Sequence, residues 1–276
     1  MSDDDDNTTL GAGTPPPPRP VYVSEKPLGK GAFGEVFLAR LPSGDRVAVK
    51  TTTSTVPTQE VHILTLLANY KDVYSNLLYL IDVTQEPTGG TTIVTNYVEG
   101  MEVHKGPVSV SYMHNLFLQV MSTLEFLHTN RIVHRDIKRE NVLFSPPNKF
   151  VVIDYGSACE RRCIGGGGTP LYFTEDVRRA TYAKTTTSWN AYRAADLFAL
   201  GVLMYRVIYK SLPYATPPRN DEYRVYLWDK PKPFTYEDGA LNEAMHTLLA
   251  LGPPGTSPTP RASEVLATYN QRIFSS

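Results

Sequence analysis

Four short segments hold residue types suited to handling a phosphorylated group. Gly29-Lys30-Gly31-Ala32-Phe33-Gly34 fits G-x-G-x-x-G. That spelling serves both a dinucleotide loop, which opens a helix, and a hairpin whose bare backbone N–H groups approach phosphate oxygens. The residues after Gly34 separate the two. Glu35-Val36-Phe37-Leu38-Ala39-Arg40 has a strand's pattern and runs into the turn residues Pro42-Ser43-Gly44-Asp45, so a hairpin is expected and a dinucleotide loop is excluded. Val36 would then pack on a nucleobase, and a plain glycine hairpin is the bland alternative. Sixteen positions on, Val47-Ala48-Val49-Lys50 ends a short hydrophobic strand in a lysine. Such a lysine either snorkels to solvent or neutralises phosphate oxygens, and the neighbouring glycine turn favours the second. Glu60 is the only acidic residue of the next helical stretch and is the expected partner of Lys50, with a merely solvated helix charge as its alternative.

The most specific segment is His134-Arg135-Asp136-Ile137-Lys138-Arg139-Glu140-Asn141, which fits H-R-D-x-x-x-x-N, with Asp154-Tyr155-Gly156 beginning thirteen residues later. Phosphoryl transfer asks for positioning and charge neutralisation more than covalent help. Asp136 can orient or accept the proton of a hydroxyl, and Asn141 and Asp154 are hard oxygen ligands suited to Mg²⁺. These four motifs, in this order and spacing, resemble the eukaryotic-type protein kinase superfamily over residues 21–270 or so.

That resemblance implies an α+β, bilobal protein kinase-like fold with ATP and Mg²⁺ in the cleft. The β-rich N-lobe, with one main helix, would take residues 21–98, and the mostly helical C-lobe residues 99–276. It implies catalytic roles for Lys50, Asp136, Lys138, Asn141, Asp154 and Thr169, with Asn141 and Asp154 holding the metal. Leu28, Gly29, Gly31, Gly34, Val36, Ala48, Lys50 and Glu60 would surround the nucleotide. In Ile93-Val94-Thr95-Asn96-Tyr97-Val98, similar to an inter-lobe hinge, Thr95 would be the gatekeeper, and the backbones of Asn96 and Val98 would bond adenine. Glu102 would meet the ribose or a basic substrate residue. Lys138 resembles the lysine of serine/threonine kinases, which implies protein substrates bearing Ser or Thr. Glu102 and Glu140 match positions that read substrate arginines, so Arg-rich sites are the expected preference. His134, Tyr155 and Leu64 would stack in an apolar spine, with Tyr155 in place of the usual Phe. Asp196-Leu197-Phe198-Ala199-Leu200-Gly201 resembles the segment whose aspartate holds the catalytic loop, with Phe198 replacing Trp.

The elements needed to position these groups are legible in the pattern. Val21–Val23, Glu35–Arg40, Arg46–Lys50, Leu77–Val83 and Thr91–Val98 suggest strands, and Thr58–Asn69 a helix. Apolar spacing predicts helices over Ser111–Thr129 and Ala194–Tyr209, with short strands at Val142–Phe144 and Phe150–Ile153 between them. Residues 1–20, with four aspartates and five prolines, offer no apolar face and are expected to remain extended or disordered.

Composition limits the partners. With 41% hydrophobic residues the 276-residue chain can build a sizeable core, and a net charge of −1 gives no basic field to hold nucleic acid or an anionic membrane. No apolar run reaches the ~20 residues of a membrane span, and the acidic N-terminus is unlike a signal peptide. A monomer inside the cell, in cytoplasm or nucleus, is the expectation. Cys159 and Cys163, the only cysteines, are expected as free thiols rather than a redox clamp.

The segment from Asp154 to Asp176 is short and carries no Ser, Thr or Tyr between Ser157 and Thr169. Activity without phosphorylation of this loop is therefore expected. Thr174-Glu175-Asp176 departs from the family's A-P-E, and Asp176 is the expected partner of Arg261. The ten-residue link from Lys50 to Glu60, the Asp-Tyr-Gly-Ser-Ala-Cys run and the acidic, proline-rich tail resemble compact viral kinases, notably those of herpesviruses, which would place the chain in a host cell. Two rivals stand beside the main reading: a pseudokinase acting as scaffold or allosteric activator, and a kinase-fold enzyme acting on a small molecule.

Overall fold

The computed structural model describes residues 22–31, 34–52, 58–74, 76–86, 89–103, 108–161, 163, 167–214, 232–253 and 259–275, and the tail of residues 1–20 lies outside them. β1 (Val23–Gly31), β2 (Gly34–Arg40), β3 (Arg46–Thr52), β4 (Leu80–Gln85) and β5 (Thr91–Asn96) form an antiparallel sheet in the order β1-β2-β3-β5-β4. Helix α1 (Thr58–Ala68) lies between β3 and β4 in sequence. The glycine motif is itself paired strand: Gly29 faces Val36 and Gly31 faces Gly34. The sheet's two faces differ in chemistry. Ala39, Val47, Val49 and Val94 bury one face, while residues offset by one position turn to the other.

β4 begins at Leu80, three residues later than its pattern suggests. The reason is a side chain: Asn96 Oδ1 accepts from the Tyr79 N–H at 2.7 Å and its Nδ2 donates to the Leu77 carbonyl at 3.3 Å. These bonds satisfy backbone groups that a ladder would otherwise satisfy.

The second half is mostly helical. After β6 (Met101–Glu102) comes α2 (Val110–Thr129), capped by Ser109, whose Oγ accepts from the Tyr112 N–H. Its stripe of Met113, Leu116, Phe117, Val120, Met121, Leu124 and Leu127 is fully buried. β7 (Ile132–Val133) pairs with β10 (Cys159–Glu160), and β8 (Val142–Ser145) joins β6 to β9 (Lys149–Val152). α3 (Glu175–Tyr182), α4 (Trp189–Tyr209), α5 (Gly239–Leu249) and α6 (Ala262–Ser275) complete the chain. α4 starts five residues before its apolar run, because Ser188 caps it by accepting from the Ala191 N–H. One continuous core includes Leu64 of α1, the α2 stripe, Tyr155 and the buried face of α4. The result is a bilobal α+β fold whose halves meet at α1 and the Tyr155–Ser157 turn. Among the described residues, no helix is long and apolar enough to cross a membrane.

Candidate active site

Strand register aligns the residues expected around a nucleotide. Gly29, Val36, Lys50 and Ile93 are cross-strand neighbours along one row, and Leu38, Ala48 and Thr95 form the next row on the same face. Leu28 lies beside them on β1, partly exposed. Val98 and Glu102 lie on the connection leaving β5, and Thr95 is buried. Of the motif glycines, Gly34 has φ +134°, and a Cβ there would meet the Thr51 carbonyl oxygen at 2.0 Å; a Cβ on Gly29 meets nothing within 4 Å.

Lys50 bridges the two halves. Its Nζ lies 2.7 Å from Glu60 Oε1 on α1 and 3.3 Å from Asp154 Oδ1. Burial disfavours the ammonium, yet the two carboxylates outweigh it and hold Lys50 above its ordinary value. Burial likewise pushes the Glu60 carboxyl up, against the opposing pull of Lys50. Asp154 adopts a left-handed backbone (φ 62°) and accepts from the Gly156 N–H at 3.3 Å, which turns its carboxylate towards Lys50.

A second cluster surrounds Asp136, which is buried. Its Oδ1 accepts from Thr169 Oγ1 at 2.8 Å, and its Oδ2 receives Lys138 Nζ at 2.7 Å and Asn141 Nδ2 at 2.9 Å. Lys138 Nζ also donates to Thr169 Oγ1 at 3.0 Å, closing a triangle. Asn141 Nδ2 donates in addition to the Asp136 carbonyl, so both amide hydrogens stay inside the loop and Oδ1 is the atom left to ligate a cation. His134 joins this loop to the Asp154 segment: its Nδ1 accepts from the Asp136 N–H at 3.3 Å, and its Nε2–H donates to the Ile153 carbonyl at 3.2 Å. Asp196 on α4 anchors the loop from beneath, accepting from the His134 and Arg135 N–H groups at 2.8 Å each and from His128 Nε2 at 3.0 Å. The structure thus brings together all six residues expected to carry the chemistry.

One other expectation fares differently. Cys159 and Cys163 form a disulfide, with Cα atoms 5.7 Å apart, and are not the free thiols that composition suggested. β10 pairs with β7, and both cysteines lie in one buried cluster with Val133, Phe173, Val177 and Tyr192. At the start of α3, Glu175, beside Asp176, holds a buried ion pair that the sequence pattern did not single out. That carboxylate receives Arg178 Nη2 and Arg179 Nε, each at 2.6 Å. The two arginines hold it below its ordinary value against the opposing effect of burial.

Tyr155 packs with its ring 5.1 Å from His134 and in one core with Leu64, as a spine requires. Its hydroxyl, absent from the usual Phe, is buried with no hydrogen-bond partner among the described residues. Tyr155→Phe is therefore expected to stabilise the fold by about 1 kcal/mol, or ~2 °C in Tm, as checked by thermal melting. Sequence reading also missed that Arg139 Nη2 donates to Glu102 Oε2 at 3.2 Å, a pair of residues 37 positions apart.

Comparison with known proteins agrees with this geometry. The family model for the protein kinase domain matches residues 22–245, and the chain belongs to that family. It is similar to serine/threonine-protein kinase pkn3 of Myxococcus xanthus, 26% identical over 83% of this chain and 45% of that protein. It also resembles the probable serine/threonine-protein kinase MARK-C of Dictyostelium discoideum, at 29% identity over 70% of this chain and 26% of that one. A probable serine/threonine-protein kinase 2 of Plasmodium falciparum is 26% identical over 68% and 38% respectively. The chain spans less than half the length of these relatives.

Proposed function

We propose that this chain is a protein serine/threonine kinase that moves the γ-phosphate of ATP to Ser or Thr hydroxyls. The observation that carries the reading is the pair of linked clusters, Lys50–Glu60–Asp154 and Asp136–Lys138–Thr169, joined through His134. Asp136 orients the acceptor hydroxyl and takes its proton as the new P–O bond forms and ADP leaves. Lys138 neutralises charge on the transferring group, and Thr169 fixes Asp136 and Lys138 in one geometry. Lys50, held by Glu60, meets the α- and β-phosphates. The face bearing Leu28, Gly29, Gly31, Val36, Ala48 and Thr95 takes the nucleotide, with the backbones of Asn96 and Val98 against adenine. Asn141 Oδ1 and the Asp154 carboxylate are the hard donors Mg²⁺ favours, and the ion would neutralise phosphate charge there. Glu102 and Glu140 give the substrate cleft negative charge, which supports a preference for basic sites.

Transfer of labelled γ-phosphate to a mixed protein substrate tests this, with identification of the phosphorylated residue. Label on Ser and Thr, reduced at least a hundredfold in Asp154→Asn, is expected. Nucleotide binding with no transfer would favour the scaffold reading instead.

The glycines offer a finer check. Gly34→Ala is expected to cost about 2 kcal/mol in denaturant unfolding, since neither its φ nor the Thr51 carbonyl accommodates a methyl. Gly29→Ala leaves stability within ~0.5 kcal/mol and raises KM for ATP, because its Cβ enters open space on the nucleotide face.

Control is proposed to be independent of loop phosphate. Arg135 lies 5.2 Å over the Tyr192 ring, on the same buried cluster as the cystine, where a phosphate would otherwise be needed to order the segment. Phosphatase-treated protein should stay active; protein that is inert until an upstream kinase is added would contradict this.

A further inference from the structure

We infer that Arg139 sets how strongly this chain selects positive charge in its protein substrates, an inference that rests on the kinase reading above. Arg139 immediately succeeds Lys138 and opens the single turn Arg139–Asn141. Its side chain is largely buried, at 14% exposure, whereas Glu102 on β6 is half exposed. The guanidinium reaches across from the turn to β6 and takes Glu102 Oε2 through one Nη2 contact. The positive charge of Arg139 also reaches Lys210 at the end of α4, whose pKa is lowered by burial and by that charge.

The consequence is one of charge. Without Arg139, an incoming substrate arginine would meet two carboxylates, Glu102 and Glu140. With it, Glu102 is already half neutralised by a guanidinium of this chain, and exposed Glu140 is the carboxylate left to read the substrate. The contact is single rather than bidentate, and Arg139 Nε is buried with no partner among the described residues, so a substrate guanidinium competes for Glu102 instead of being shut out. Arg139 thus lowers the discrimination between basic and neutral sites while leaving the Asp136 cluster intact.

The test uses two acceptor peptides that differ only in one residue, Arg or Ala, N-terminal to a serine. For the full chain, the ratio of kcat/KM between the peptides is measured, together with the ratio of their dissociation constants by fluorescence anisotropy. Arg139→Ala should raise both ratios towards the Arg peptide about fivefold, the upper range for a partly exposed ion pair, through KM rather than kcat. Arg139→Lys should stay near wild type, and Arg139→Ala combined with Glu102→Gln should return to it. Ratios unchanged in Arg139→Ala would overturn the inference, as would a combined variant that keeps the raised ratio. A uniform fall in kcat on both peptides at fixed ratio would do so too, since that marks a purely structural role. If wild type transfers no phosphate to either peptide, the kinase reading fails, while the ratio of dissociation constants still decides the role of Arg139.

Discussion

Asp136→Asn is expected to lower kcat for phosphate transfer by about 10²- to 10⁴-fold while KM for ATP changes little. Both carboxylate oxygens of Asp136 are committed as acceptors, one to Thr169 and the other to Lys138 and Asn141. An amide of the same shape has one acceptor oxygen. Its NH₂ would face either the Lys138 ammonium or the Thr169 hydroxyl, so the substitution removes the proton acceptor and misaligns the triangle together. The Lys50–Glu60 pair and the strand face that would take ATP lie on other elements and remain. Steady-state kinetics at varied ATP check this: a rise in KM for ATP as large as the fall in kcat would place Asp136 in nucleotide binding instead.

Glu175→Gln should destabilise the protein by about 3 kcal/mol. Glu175 and Arg178 are both almost wholly buried, and the substitution removes the carboxylate charge that faces the Arg178 guanidinium. Denaturant unfolding measures the loss. The pH dependence has a definite sign. The folded-state pKa of Glu175 lies below its ordinary value of 4.5, so its contribution is complete above the unfolded value and is lost as pH falls through the lower, folded one. Wild type should therefore lose stability on acidification below about 4.5 more steeply than Glu175→Gln, whose acid limb is flatter. Parallel acid limbs would contradict the assignment.

What the sequence made legible, and what it did not, divides along physical lines. The glycine hairpin, the strand ending in Lys50 and the loop from His134 to Asn141 are local patterns. Their residue types and spacing are fixed within a few positions, even though the bonds that hold them reach distant partners such as Thr169 and Asp196. The late start of β4 was hidden because the Asn96 side chain, seventeen residues from Tyr79, replaces ladder bonds. The early start of α4 was hidden because Trp189 and Tyr192 of its first turn pack on a separate cluster around Cys159 rather than in line with the main apolar run, and the turn depends on the Ser188 cap. The disulfide escaped reading because composition speaks of thiols in general, whereas here both cysteines are buried in one cluster built from distant residues such as Val133 and Tyr192. Arg139 with Glu102 is similar: each looks like a surface charge until β6 is laid against the catalytic turn. The buried Glu175–Arg178 pair of α3 was not legible because an acidic and a basic residue three apart on a helix read equally well as a solvated surface pair.

Calorimetric titration of the full chain with ATP, with and without millimolar Mg²⁺, probes the convergence of Lys50, Asn141 and Asp154 most directly. Saturable uptake that strengthens when Mg²⁺ is added, and loses that strengthening in Asp154→Asn, is the expected result. No uptake at millimolar nucleotide, or an affinity indifferent to Mg²⁺, would contradict it.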